Sequence, residues 1–172
     1  MANTFELIAS STLASPAATI SFTSIPATFT DLCLVLSLRV TRAYAASTIG
    51  LTVNSSATGY SQKTLSGDGS AASSSGGTSL VRIADLTVPA NTATASTFGN
   101  QMIYFTNYAS SNNKSISADS VSEQNGTTAY ANLVAGLWAD SAAISTISLN
   151  EPNGSSNFAT YSTAYLYGVK SS

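Results

Sequence analysis

From Asp31 to Val40 every second residue is aliphatic: Leu32, Leu34, Leu36, Leu38 and Val40. Side chains alternate sides along an extended chain, so these five share one face and Cys33, Val35, Ser37 and Arg39 take the other. A helix cannot use this pattern, because at about 100° per residue positions two apart stand on opposite sides. The same period recurs along most of the chain, carried by β-branched and aromatic residues, and it predicts a protein built of strands.

The other strands expected on this basis are Phe5 to Ile8, Ile20 to Phe22, Ile49 to Asn54, Tyr60 to Leu65, Ser79 to Val88, Thr97 to Tyr108 and Lys114 to Glu123. Ala129 to Ala139, Ala143 to Asn150 and Asn157 to Val169 complete the set, although the alanine and leucine of Ala129 to Ala139 also suit a buried helix. Ile25-Pro26 marks a turn, since proline has no N–H for a ladder. Asp68-Gly69, Asn125-Gly126 and Asn153-Gly154 are dipeptides suited to the two central positions of type I′ hairpins. Many short strands at a spacing of roughly ten residues mean a sandwich or a barrel. The stretch 66–79, rich in glycine and serine, is expected to be a flexible exposed loop within one domain, 1–172.

Hydrophobic residues make up 44% of the 172, enough for a core, so the scarcity of charge (8%) does not signal disorder. Six Lys plus Arg against eight Asp plus Glu, with no run of either sign, argue against nucleic acid as a partner. A surface so poor in charge lacks the usual protection against association, and burial in an assembly would account for it. The segment Met-Ala-Asn-Thr-Phe-Glu has no basic region and does not read as a secretory signal, and no apolar run is long enough to span a membrane, so folding in a cytoplasm is expected.

Chemistry has little to work with. No histidine occurs, which removes Ser/His/Asp and Cys/His catalysis and the zinc sites that need imidazole or several thiolates. Cys33, in the run Leu32-Cys33-Leu34-Val35, is expected to act as a small core hydrophobe. Lys63, Lys114 and Lys170 sit in polar or terminal surroundings and are expected to be solvated amines, unsuited to a Ser-Lys mechanism. Asp119, Glu123, Asp140 and Glu151 are the acids from which a glycosidase pair would have to come. One acid in Gly67-Asp68-Gly69 is too few for calcium. No catalytic residue, metal or cofactor is therefore expected. The sequons at Asn54, Asn113, Asn125 and Asn153 arise by chance in a chain so rich in Ser and Thr.

One surface does stand out. Tyr161, Tyr165 and Tyr167 share a parity in the last predicted strand, and tyrosine combines large area, low entropy cost and a polar tip. Three readings fit: an aromatic ladder under a neighbouring loop, an assembly interface, or a glycan platform.

The phrases Phe5-Glu6-Leu7-Ile8-Ala9-Ser10, Ile20-Ser21-Phe22-Thr23-Ser24-Ile25-Pro26 and Thr28-Phe29-Thr30-Asp31-Leu32 resemble a family of small virion proteins of tailed bacteriophages. Further matching phrases are Asn107-Tyr108, Asn112-Asn113-Lys114-Ser115, Thr128-Ala129-Tyr130-Ala131, Gly136-Leu137-Trp138, Tyr161-Ser162-Thr163-Ala164 and Leu166-Tyr167-Gly168. They are phrases of strands and turns, and none is a catalytic motif. The resemblance implies a virion β-sandwich that self-associates, commonly as a homotrimer, on the particle exterior or in a fibre. Composition, pattern and resemblance together lead to an all-β, antiparallel, jelly-roll-like β-sandwich without enzymatic activity. The expected role is a capsid decoration (cement) protein, made in the host bacterial cytoplasm, with the major capsid protein and further copies of itself as partners. The alternative is a tail or head fibre, or a receptor-binding, carbohydrate-binding adhesin domain.

Overall fold

Leu32, Leu34, Leu36 and Leu38 are 0 to 2% exposed, and around them the chain closes into two layers of strands. The computed structural model describes residues 4–126, 128–152, 154 and 156–170, and among these there is no helix. The strands are β1 (Phe5–Thr12), β2 (Thr19–Phe22), β3 (Asp31–Leu38), β4 (Ala46–Val53), β5 (Tyr60–Gly67) and β6 (Ala72–Leu80). They continue as β7 (Ile83–Pro89), β8 (Gly99–Phe105), β9 (Lys114–Ser122), β10 (Tyr130–Trp138), β11 (Ile147–Asn150) and β12 (Thr163–Val169).

Eight strands form one sheet in the order β1-β12-β3-β8-β9-β10-β5-β6, and four form the other in the order β2-β11-β4-β7. Every pairing is antiparallel. The chain crosses from sheet to sheet at each of its first four connections, and only β5-β6 and β8-β9-β10 run on as hairpins within a sheet. The result is an antiparallel β-sandwich, jelly-roll-like in these crossings.

The core lies between the sheets. Ile103 and Phe105 of β8, Ile116 of β9, and Val134 and Trp138 of β10 flank the β3 leucines. Ile49, Leu51 and Val53 of β4, Leu86 and Val88 of β7, and Ile147 and Leu149 of β11 face them. Burial of each such side chain stabilises the fold by about 1.5–3 kcal/mol. Toward the β7 side the interior turns polar. There Asp85 accepts from Gln62 Nε2 (2.7 Å) and Thr64 Oγ1 (2.9 Å), while Asn132 Nδ2 donates to Thr87 Oγ1 (2.6 Å).

Several expectations need correction. The stretch 66–79 is not a flexible loop: 72–80 forms the edge strand β6, paired with β5 from Tyr60↔Leu80 to Gly67↔Ala72. Serine and glycine are poor strand formers, but β5 offers an open ladder, and the turn that joins the two strands is tight. In that turn Gly69 has φ +86°, and Asp68 Oδ1 accepts from the N–H of Ser70 (2.8 Å) and Ala71 (2.7 Å). Positive φ at the first central position alone is the signature of a type II′ turn, where type I′ was expected. Asn125 takes positive φ (51°), as does Gly154 (65°), while Asn153 lies outside the described residues.

The expected strand at Ala129 to Ala139 is present as β10 and the alternative of a buried helix falls, because β10 pairs along its length with β9 on one side and β5 on the other. The run Ser79 to Val88 is interrupted, with Ser79 at φ 56° and β7 beginning only at Ile83. β3 stops at Leu38, and Val40 makes an isolated bridge to Phe158. The extension from Asn157 holds only the isolated bridges of Phe158 to Ala17 and Val40, and β12 begins at Thr163.

Candidate functional site

Alternation on the large sheet leaves an outer face, and much of that face is apolar. The register aligns Tyr165, Val35, Met102, Asp119, Leu133 and Leu65 across β12, β3, β8, β9, β10 and β5. The next row aligns Tyr167, Cys33, Tyr104, Ser117, Ala135 and Lys63 on the same strands. At the β1 edge a bulge between Leu7 and Ala9 changes which side chains point outward. Phe5 and Leu7 therefore extend the outer face, while Ile8 and Ala9 pack on the core.

Nine large hydrophobic side chains are exposed: Phe5, Leu7, Tyr44, Leu65, Val81, Met102, Val121, Leu133 and Tyr161. Six of them, Phe5, Leu7, Leu65, Met102, Val121 and Leu133, lie on this one face at 45–56% exposure. Single exposed apolar residues are ordinary, whereas a contiguous set of them marks a surface for contact. At the β1 end the face is dished into an apolar depression of about 400 Å³, lined by Phe5, Cys33, Val35, Met102, Tyr104 and Tyr167. Phe5 meets Tyr167 edge-on, with ring centroids 6.5 Å apart.

The three tyrosines do not form one set. Tyr165 and Tyr167 stand half-buried on the outer face of β12, but Tyr161 lies in the turn before the strand, at φ 70° and 74% exposed. Parity in the sequence suggested a single face, yet a residue with left-handed φ breaks the alternation on which parity depends.

The titratable groups are dispersed. Tyr104 donates to Asp31 Oδ2 (2.8 Å), and burial together with that carboxylate pushes its phenol up to about 12. Asp119 lies among apolar neighbours on the outer face, and burial raises its carboxyl above the usual range. Cys33 is buried but faces away from the space between the sheets, and burial, with Asp119 nearby, pushes its thiol up and leaves it unreactive. Glu123 lies just past the end of β9 and accepts from the Asn125 N–H (2.7 Å), and Asp140 caps the Ala142 N–H (2.7 Å). Glu151 is buried in an ion pair with Arg42 (3.2 Å). These acids do not converge on one site. Among the described residues no group of three Asp, Glu, Cys or His could hold a metal ion.

Of the lysines, Lys63 is exposed and Lys170 pairs with Glu6 at the surface (2.6 Å). Lys114 departs from expectation: it is fully buried, and its ammonium donates to the carbonyls of Ser110 (2.8 Å) and Asn112. Its polar sequence neighbours turn their backbone oxygens inward around it, which no local pattern of side chains reveals.

The outer face did leave a trace in the sequence. Leu32-Cys33-Leu34-Val35 is apolar on both parities, and Leu65, Met102, Val121 and Leu133 are apolar at positions that alternate with the buried set.

No protein-family model matches this chain, and no curated protein matches it. Among solved structures a similar one is the crystal structure of Caenorhabditis elegans galectin LEC-6, 13% identical, with 95% of each chain covered and a TM-score of 0.35.

Proposed function

We propose that this chain is a structural virion protein of a tailed bacteriophage: a capsid decoration protein that binds and stabilises the assembled shell and catalyses no reaction. The observation that carries the reading is the uncovered outer face of the eight-stranded sheet, where five strands present six large apolar side chains to solvent. A face of this kind suits binding by area, in which weak contacts are multiplied by the symmetry of an assembly. The charge-poor exterior and the resemblance of the strand and turn phrases to phage virion proteins support it further. Tyr165 and Tyr167, beside the apolar depression, are the proposed anchors on the major capsid protein.

The test is sedimentation of the purified protein with assembled shells and with unassembled capsid subunits. Binding to shells, a higher melting temperature of the shells, and weak dependence on salt are expected. Replacing Tyr165 and Tyr167 together with Ala should weaken binding at least tenfold. No affinity for shells, together with measurable affinity for a cell-surface glycan, would move the assignment to a receptor-binding adhesin.

A further inference from the structure

Over β8, β9, β10, β5 and β6 the outer face of the large sheet carries two charges, and they are of opposite sign. Lys63 on β5 is exposed, Asp119 on β9 is half-buried, and β10 runs between them. Neither makes an ion pair within the described residues. The register sets them two strands apart and two residues out of line, about 12 Å at ordinary strand spacings. Around them the surface is apolar, with Leu65 at 56% and Leu133 at 54% exposure.

We infer that this half of the face docks against the same half of a second copy of the chain, with Lys63 of each copy opposite the partner's Asp119. The symmetry follows from the placement. When two sheets face each other, a twofold axis relating them lies in the plane between them. An axis perpendicular to the line from Lys63 to Asp119, at its midpoint, exchanges the two positions and satisfies both charges at once. That midpoint falls on β10 between Leu133 and Ala135, so the leucine of each copy packs near the axis on the leucine of the other.

The overlap takes in β8, β9, β10, β5 and β6. Five strands of about seven residues cover about 24 by 23 Å, or about 550 Å² per partner and about 1,100 Å² in all, which clears the roughly 1,000 Å² that a specific interface needs. A zero net charge over this area lets like meet like without repulsion. A face that meets itself closes at two copies, where the family resemblance implies three. The β1, β12 and β3 end, with Phe5 and Tyr167, stays outside the overlap, so a dimer presents two such ends and can bridge two shell subunits. The inference rests on reading this face as an assembly surface and does not depend on a capsid as the place of assembly.

Sedimentation equilibrium of the full chain tests it, with circular dichroism confirming that each variant folds. The wild type should be a dimer. Lys63→Asp and Asp119→Lys should each weaken dimerisation at least tenfold, because each sets like charges opposite one another. Mixed in equal amounts, the two variants should form a one-to-one heterodimer, in which both cross-pairs are again of opposite sign. Three results would overturn the inference: a wild type that is monomeric at a concentration on the order of 100 μM, folded single variants that dimerise undiminished, or a mixture that stays monomeric. A wild-type trimer would overturn it as well, since a face that meets itself about a twofold axis closes at two copies. Shell binding by a monomeric wild type would leave the decoration role standing while removing this interface.

Discussion

Lys114 is the residue whose replacement should reveal most about what holds the open end of the sandwich. Its side chain is fully buried at the start of β9, opposite Trp138 of β10, and Trp138 in turn stacks on Tyr60 (6.4 Å). The ammonium donates to the carbonyls of Ser110 and Asn112 and, at 3.5 Å, lies at the limit of reach of Asp140 O, tying the turn after β8 to the end of β10. Hydrogen bonds from a charged donor contribute about 1.5–3 kcal/mol each, but Asn112 is exposed, so water can replace the lysine there. Lys114→Met keeps the stem's volume and loses the donors, for an expected loss of about 2 kcal/mol. Lys114→Ala also removes three buried methylenes at about 0.8 kcal/mol each, which brings the loss to about 4–5 kcal/mol. For a domain of this size each kcal/mol shifts the melting temperature by about 2–4 °C. Urea titration, with an unchanged slope required of each variant, and thermal melting both report the loss. A Met variant within about 0.5 kcal/mol of wild type would refute the carbonyl clamp, and equal losses for Met and Ala would refute the packed stem.

Three further outcomes are expected. Tyr104, pushed up to about 12 by burial and by Asp31, should be late to ionise when tyrosine absorbance is followed against pH. The folded state holds that proton more tightly than the unfolded state, so stability should fall as pH rises from the ordinary tyrosine value of about 10 towards 12, and Asp31→Asn should shrink the effect. Asp119 has a carboxyl raised by burial, so in dilute protein stability should fall as pH rises through and just above the ordinary carboxylate range. Asp119→Asn should flatten that fall in chemical denaturation, and an unchanged profile would count against the assignment. Leu36→Asp puts an unpaired charge at a position 2% exposed, at a cost of several kcal/mol. It should abolish soluble expression, and a soluble variant with a wild-type melting curve would remove Leu36 from the core.

Much of the sandwich was written in local pattern. Alternation from Leu32 to Leu38 placed β3 and its buried face, because the pleat obliges side chains two apart to share a side whatever else the chain does. The same rule located most other strands to within a few residues, and the absence of histidine narrowed the chemistry before any contact was known. Local pattern failed where the backbone, which no pattern of side chains reports, decides the outcome. β6 is serine and glycine with no alternation, and it is a strand because β5 offers it a ladder. Lys114 sits in polar sequence, and it is buried because backbone carbonyls from two loops converge on it. Tyr161 shares a parity with Tyr165 and Tyr167, yet its left-handed backbone separates it from them. The outer face was half visible, since the apolar residues at Val35, Leu65, Met102, Val121 and Leu133 are plain in the sequence. Period two says only that a strand has two faces. Which of them meets another sheet and which stays open depends on the order β1-β12-β3-β8-β9-β10-β5-β6, and that order joins residues as distant as Phe5 and Val169.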